Sequence, residues 1–314
     1  MKKILRLGTR GSPLALLQAE NVRARLLAAD PALRAESEIE IIPIRTSGDW
    51  RPEHKDKTFL EMGGDKGLFT KEIEDALISC VIDMAVHSMK DVPSKLPDAL
   101  EIATLLERAD PHDVFIANNV QTLEELPAGA VVGTASLRRQ AQILHHRPDL
   151  RVVPLRGNVD TRLRKIADGE ADATVLALAG MERLGVEDRI SSVLETDIML
   201  PAVAQGALGV EIRRDDGDMR RILAMLDCSR TATCIKAERA FLLGLDGSCH
   251  TPIAGLAQLE EDGQLSLEGL VAKPDGTTII RMSRNGPAKD AEALGLALAE
   301  ELKSRMPIGF FDSP

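Results

Sequence analysis

The chain has 314 residues, 44% apolar and 28% charged, an ordinary globular balance that excludes wholesale disorder and suits two or three domains of about 100–150 residues. A formal charge of −10, six Phe, one Trp and no Tyr argue against nucleic acid or an anionic membrane as the bulk partner. No apolar run approaches the ~20 residues of a membrane span, and Lys2, Lys3 and Arg6 interrupt any signal-type stretch, so a soluble cytoplasmic protein is expected.

Ile4–Leu7 reads as a strand, followed by a turn at Gly8-Thr9-Arg10-Gly11. Ser12 then Pro13 has the form of a helix N-cap with proline at N1, and Leu14, Leu17, Val22 and Leu26 carry the apolar stripe as far as Asp30-Pro31. Glu38–Arg45 alternates as a strand does. Thr46 to about Leu68 is polar and glycine-containing, a length of loop that is often a lid or active-site segment. Thr70–Ser79 returns to helix, and Ile82–Val86 is a buried-type strand ending at His87-Ser88-Met89-Lys90-Asp91-Val92-Pro93.

The middle of the chain repeats the theme. Strands at Ala130–Val132, Arg151–Leu155 and Ala173–Leu178 lead through Gly133-Thr134-Ala135-Ser136, Arg156-Gly157-Asn158 and Ala179-Gly180 into helices, the last carrying Arg183. Such βαβαβ units build parallel sheets. From about Cys228 the pattern changes to a helix at Thr233–Leu243, strands near Ile253–Leu259, Leu265–Ala272 and Thr277–Arg284 with hairpin signals at Asp262-Gly263 and Asp275-Gly276, and a closing helix at Ala288–Met306.

Ligands of open parallel sheets bind beyond the carboxyl ends of the strands, where helix N-termini present free N–H groups. Arg10 and Ser12 fall at one such edge, Thr134, Ser136, Arg138 and Arg139 at a second, Arg156 and Arg162 at a third, and Arg183 at a fourth. The chain holds 26 Arg against 13 Lys, and the window from Arg138 to Arg164 has seven Arg, no Lys, and only Asp149 and Asp160 as acids. Arg is the side chain for bidentate recognition of carboxylate or phosphate. With no GxxxxGK[ST] or GxGxxG present, a small molecule bearing several carboxylates fits better than a nucleotide. Lys90-Asp91 places an acid that can hold a developing cation or handle a proton. Gly63-Gly64-Asp65-Lys66-Gly67-Leu68-Phe69 ends the long loop as a gate carrying Lys66 and Phe69. Cys80, Cys228, Cys234 and Cys249 form no CxxC pair, so neither a disulfide framework nor a metal site is expected. Cys249, beside His250 in a turn-rich loop, has the setting of a nucleophile or attachment point.

TRGSPLAL (9–16), GGDKGLFTKEIE (63–74), AVHSMKDVP (85–93), GTASLRRQ (133–140), LRGNVDTRL (155–163), LPAVAQGALGVE (200–211), AERA (237–240) and DGSCHTPIAG (246–255) stand in an order that resembles the porphobilinogen deaminase (hydroxymethylbilane synthase) family over essentially the whole chain. The resemblance implies an α/β fold of two periplasmic-binding-protein-like lobes with mainly parallel sheets, and a small C-terminal α+β domain with a three-stranded antiparallel sheet. It divides the chain into 1–106 plus 206–225, 107–205, and 226–314. It implies a transferase that joins four porphobilinogen units head to tail with release of ammonia, on a dipyrromethane cofactor held to Cys249 by a thioether, and frees 1-hydroxymethylbilane for tetrapyrrole biosynthesis.

By the same resemblance Asp91 is the catalytic acid. It would stabilise the azafulvene-type cation left by loss of ammonia. Lys90, Thr134, Ser136, Arg138, Arg139, Arg156 and Arg183 are expected to hold the cofactor, and Arg10, Ser12, Arg162, Ala177, Gly180 and Gln205 the substrate. Asp65 is an insertion in the usual gate motif, and Ala135 stands where a serine is common. The implied protein is a monomer whose product passes to uroporphyrinogen-III synthase. The competing class is a non-catalytic two-lobed binding protein for a polycarboxylate.

Overall fold

The computed structural model describes residues 3–47, 69–247, 251–307 and 309–310. In chain order it contains β1 (Lys3–Arg10), α1 (Pro13–Ala29), α2 (Pro31–Glu36), β2 (Ser37–Ile44), α3 (Lys71–Ile78), β3 (Met84–Ser88) and β4 (Leu100–Leu105). Then follow β5 (Asp113–Ala117), β6 (Val131–Gly133), α4 (Leu137–His146), β7 (Arg151–Val153), α5 (Val159–Ala167), β8 (Ala173–Ala177), α6 (Leu178–Leu184) and β9 (Ser192–Leu194). The last part holds β10 (Leu208–Arg213), α7 (Gly217–Leu223), α8 (Ser229–Gly244), β11 (Ile253–Leu259), β12 (Gln264–Ala272), β13 (Ile279–Pro287) and α9 (Ala291–Arg305). Two compact units result: Met1–Arg108 with Ala207–Ala232, and Ala109–Gly206 with Thr233–Pro314.

The first unit is built on a five-stranded sheet of order β2-β1-β3-β10-β4. β1 pairs in parallel with β2 and β3, whereas β10 runs antiparallel to both β3 and β4. Four strands therefore point one way and β10 against them. Alternation along the strands sends Leu5, Leu7, Met84 and Val86 into one core with Val22 and Leu26 of α1. Ala85 joins Ile73 and Leu77 of α3 in a second core. Asp30 ends α1 and starts α2: its Oδ1 accepts from Ala32 and Leu33 N–H at 2.9 and 3.1 Å, with Pro31 at the first helical position. The single helix expected up to Asp30-Pro31 is thus followed at once by another, because the residue pair that stops one helix caps the next.

The second unit contains a sheet of order β7-β6-β8-β5-β9, the same pattern, with β5 antiparallel to β8 and β9 and the β6 pairings parallel. Phe115, Val132, Ile143 and Val175 fill one face, and Val114, Ile116, Leu163, Leu176 and Met181 the other. This unit also carries the antiparallel sheet β11-β12-β13. Ala141 of α4 packs with Leu200, Ala254, Leu256 and Leu270, which ties that sheet to the helix bearing Arg138 and Arg139. His145 is exposed in the last turn of α4, and its Nδ1 is 3.0 Å from Gly276 O in the β12–β13 hairpin. Cys80 lies just past α3 at φ 56°, its N–H donating to Leu77 O in the left-handed closing turn where glycine is usual.

Candidate functional site

In the first unit Arg10 ends β1 and Ser12 caps α1, its Oγ accepting from Ala15 N–H at 3.3 Å. Asp91 closes the short turn 89–91 directly after β3. The parallel pairing of β1 with β3 brings these carboxyl ends side by side. Arg10, Ser12, Phe69, Ser88 and Asp91 line one open pocket, with Gln18 and His87 deeper in its wall. Arg10 Nη1 is 3.9 Å from Asp91 Oδ2, and its guanidinium carbon stands 4.3 Å from the Phe69 ring centroid. The first contact is long and partly solvated, worth about 0–1 kcal/mol. The second adds a cation–π attraction of about 0.5–1 kcal/mol.

Two supports of this pocket escape sequence reading. Gln18 Nε2 donates to Ser88 Oγ at 3.0 Å, fixing the strand end from which Lys90 and Asp91 depart. His87 Nε2 lies 3.0 Å from Glu211 Oε2, and both side chains are buried. Burial pushes the Glu74 carboxyl up, and the Glu211 charge adds to that shift, against the neighbouring Thr70 hydroxyl and His87. Lys90 is half-buried on the same turn as Asp91. Lys66 of the expected gate lies outside the described residues, and Phe69 is the first residue described after it.

In the second unit Thr134 and Ser136 connect β6 to α4. Thr134 Oγ1 accepts from Ser136 N–H at 3.2 Å, and Ser136 Oγ accepts from Arg139 N–H at 3.4 Å as the α4 cap. Arg138 and Arg139 turn inward, each 6% exposed, and each guanidinium lies 2.7 Å from a carboxylate oxygen of Asp113. Burial pushes the Asp113 carboxyl up, but the two adjacent guanidiniums outweigh it and hold it well below the usual carboxylate range. Burial lowers the Arg138 pKa, partly offset by the Asp113 charge. Gln205 Nε2 donates to Asp113 Oδ1 at 3.0 Å. Two positive groups against one carboxylate leave the cluster net positive, and Arg139 Nε is buried with no hydrogen-bond partner.

The other expected residues sit around the same sheet. Arg183 Nη2 donates to Gly206 O at 2.7 Å, and Arg162 Nε donates to Gly157 O at 2.9 Å, one residue past half-buried Arg156. Ala177 ends β8 and Gly180 is buried in α6. Cys249 lies outside the described residues. Among the described residues no group of three or more His, Cys, Asp and Glu could hold a metal ion, and no helix is long and apolar enough to cross a membrane.

Fold and site together define an α/β protein with arginine-furnished strand ends that suit a carboxylated small molecule. The family model described as porphobilinogen deaminase, dipyromethane cofactor binding domain, matches residues 5–221, and the model of the porphobilinogen deaminase C-terminal domain matches residues 232–304. The chain belongs to the porphobilinogen deaminase family. It is 52% identical to the porphobilinogen deaminase of Nitrobacter winogradskyi over 97% of this chain and 94% of that protein. It is 51% identical to that of Paracoccus denitrificans over 98% and 96%. With the chloroplastic porphobilinogen deaminase of Oryza sativa subsp. japonica the identity is 50% over 99% and 86%. Among solved structures, the periplasmic sulfonate-binding protein SsuA from Methylobacillus flagellatus KT aligns with TM-score 0.41 at 12% identity, covering 76% of this chain and 67% of that one. SsuA from Escherichia coli aligns with TM-score 0.39 at 16% identity, covering 77% and 70%.

Proposed function

We propose that the chain is a porphobilinogen deaminase, joining four porphobilinogen units head to tail with release of ammonia and freeing 1-hydroxymethylbilane. Identity of about half to porphobilinogen deaminases along nearly the whole chain carries this function. The same likeness disfavours the non-catalytic binding protein.

The site chemistry agrees with such a substrate. Porphobilinogen bears an acetate and a propionate, so each added unit brings two carboxylates, and guanidiniums bind carboxylates through paired N–H donors. In the first unit, Asp91 would accept hydrogen bonds from pyrrole N–H and stabilise positive charge on the substrate ring as ammonia departs, then take part in proton transfer. Arg10 and Ser12, beside it, would hold a substrate carboxylate, with Lys66 and Phe69 as the gate.

The dipyrromethane cofactor fits the second unit: Arg139 Nε without a partner and the net charge of the Asp113 cluster suit a group that carries carboxylates. Cys249 would hold it by a thioether, with Thr134, Ser136, Arg138, Arg139, Arg156 and Arg183 binding its acids. Arg162, Ala177, Gly180 and Gln205 would line the way for substrate. When bound, the cofactor supplies the pyrrole carbon to which the first substrate unit is joined. The working form is taken to be a cytoplasmic monomer that hands its product to uroporphyrinogen-III synthase.

The test is turnover of porphobilinogen with an intact-mass measurement of the same preparation. An active protein heavier than its sequence by one dipyrromethane is expected. Active protein at the bare sequence mass would sink the cofactor assignment, and inactivity of the loaded protein would sink the function.

A further inference from the structure

Glu238 lies in α8, within the run Ala-Glu-Arg-Ala at 237–240, a segment to which the function above gives no role. The residue is 0% exposed, and glutamate is almost never found so deep unless its charge is met. Ala204 N–H donates to its Oε2 at 2.6 Å, and Ala257 N–H donates to its Oε1 at 2.8 Å. Ala257 belongs to β11, an edge strand of the C-terminal sheet, and Gly255 on the same strand donates to Pro201 O at 3.0 Å. An edge strand presents a row of N–H groups in need of acceptors. Here the edge is covered by the turn 201–206 and by the carboxylate that bridges to it.

The same turn, with Leu200 directly before it, holds the guanidinium cluster at three points. Leu200 O accepts from Arg138 at 2.8 Å and from Gln142 at 3.1 Å. Gln205 Nε2 donates to Asp113 at 3.0 Å and to Pro111 O at 2.7 Å. Gly206 O accepts from Arg183 at 2.7 Å. Between these points the backbone is constrained: Ala204 has φ 62°, and Gly206 has φ 87° with Ala109 O only 2.4 Å from where a Cβ would stand. A side chain-bearing residue keeps a left-handed conformation only where its surroundings over-determine it. The charge-assisted bond from Ala204 N–H to Glu238 is a strong restraint of that kind.

We propose that Glu238 is a positioning residue for carboxylate binding: by fixing Ala204 it sets Gln205 against Asp113, and through Asp113 the paired guanidiniums of Arg138 and Arg139. The inference rests on the function above in taking those arginines as ligand-binding.

A double-mutant cycle tests it. Glu238→Gln keeps the shape but turns an amide NH2 toward one of the two backbone N–H groups. Its KM for porphobilinogen is expected to rise about tenfold while kcat stays within about threefold. Gln205→Leu should raise KM comparably, and the double variant should be no worse than the worse single, because one acts through the other. A merely structural role would lower the melting temperature and the active fraction without moving KM. Unchanged KM in folded Glu238→Gln, or KM increases that multiply in the double variant, would overturn the proposal. If Glu238→Gln is not recovered folded, Glu238→Asp takes its place in the cycle and the same outcomes support or overturn the proposal, since it is a methylene too short to reach both N–H groups. A wild type that fails to turn over porphobilinogen would instead reject the function itself.

Discussion

Arg10 Nη1 and Asp91 Oδ2 face each other at 3.9 Å where two parallel strands of one sheet end. The guanidinium also covers the Phe69 ring, so one side chain meets both the proposed catalytic carboxylate and the one described residue of the expected gate pair Lys66 and Phe69. The Asp91 side chain keeps 34% of its surface exposed at this mouth, which leaves it open to a substrate and peripheral to the core.

Asp91→Glu should therefore fold normally and lose turnover. A partly exposed side chain outside the core changes stability by no more than about 0.5 kcal/mol. Displacing the carboxylate by a methylene should lower kcat by about 100-fold or more, given the geometric demands of proton transfer and charge stabilisation. Single-turnover kinetics beside a thermal melt would check both, and near-normal turnover would remove Asp91 from the catalytic role.

Cys249→Ser should leave the protein at its sequence mass, whereas the wild type carries the added dipyrromethane. The thiolate is the better nucleophile for a carbon electrophile, and a serine hydroxyl at neutral pH is not ionised. Mass spectrometry after denaturation decides: retained covalent cofactor in the variant would place the attachment elsewhere.

Asp113→Asn should destabilise the protein by about 3–5 kcal/mol, because it strands two buried guanidiniums without their carboxylate. The pH dependence has a definite sign. Since the folded carboxyl is held below its ordinary range, the unfolded chain binds the proton first, and the stability due to Asp113 is present above about pH 5 and lost as pH falls below about 4. Urea unfolding across that range should show the difference between wild type and variant shrinking toward acid. A difference independent of pH would contradict the ion-pair account.

Gly276→Ala should also destabilise, by about 2–4 kcal/mol. The residue has φ 73°, and a Cβ there would sit 2.6 Å from His145 N and 2.7 Å from Ala141 O of α4. Because α4 carries Arg138 and Arg139, the variant should lose cofactor loading along with melting temperature. Wild-type stability and loading would show that the hairpin does not pack against α4 in solution.

Much of the fold is legible in the sequence where local chemistry decides it: the Ser12-Pro13 cap, the glycine turns of the C-terminal hairpins and the βαβ rhythm of the middle segment. β5 and β10 escaped because their signals are long-range. Each carries a buried acid, Asp113 or Glu211, that a pattern reading assigns to solvent until its partner from another element is known. The site shows the same limit. The arginine count between 138 and 164 marked a positive window, yet Arg138 and Arg139 are met by Asp113 from 25 and 26 residues upstream, and Arg147 is bound to Asp149 and to the carbonyls of Leu123, Glu124 and Leu126. Local charge sums located the cluster; only the fold shows how much of the charge is already answered.

The strand orders carry a consequence for synthesis. β10 separates β3 from β4 in the first sheet, but its residues leave the ribosome only after 109–206 have been made. In the second sheet the inserted strand, β5, precedes its neighbours β8 and β9. A chain released at residue 206 is thus expected to hold β5–β9 protected against protease and β1–β4 still open, and protection of the latter would contradict that order. Of the two five-stranded sheets, the one begun first would be the one closed last, when the returning strand arrives.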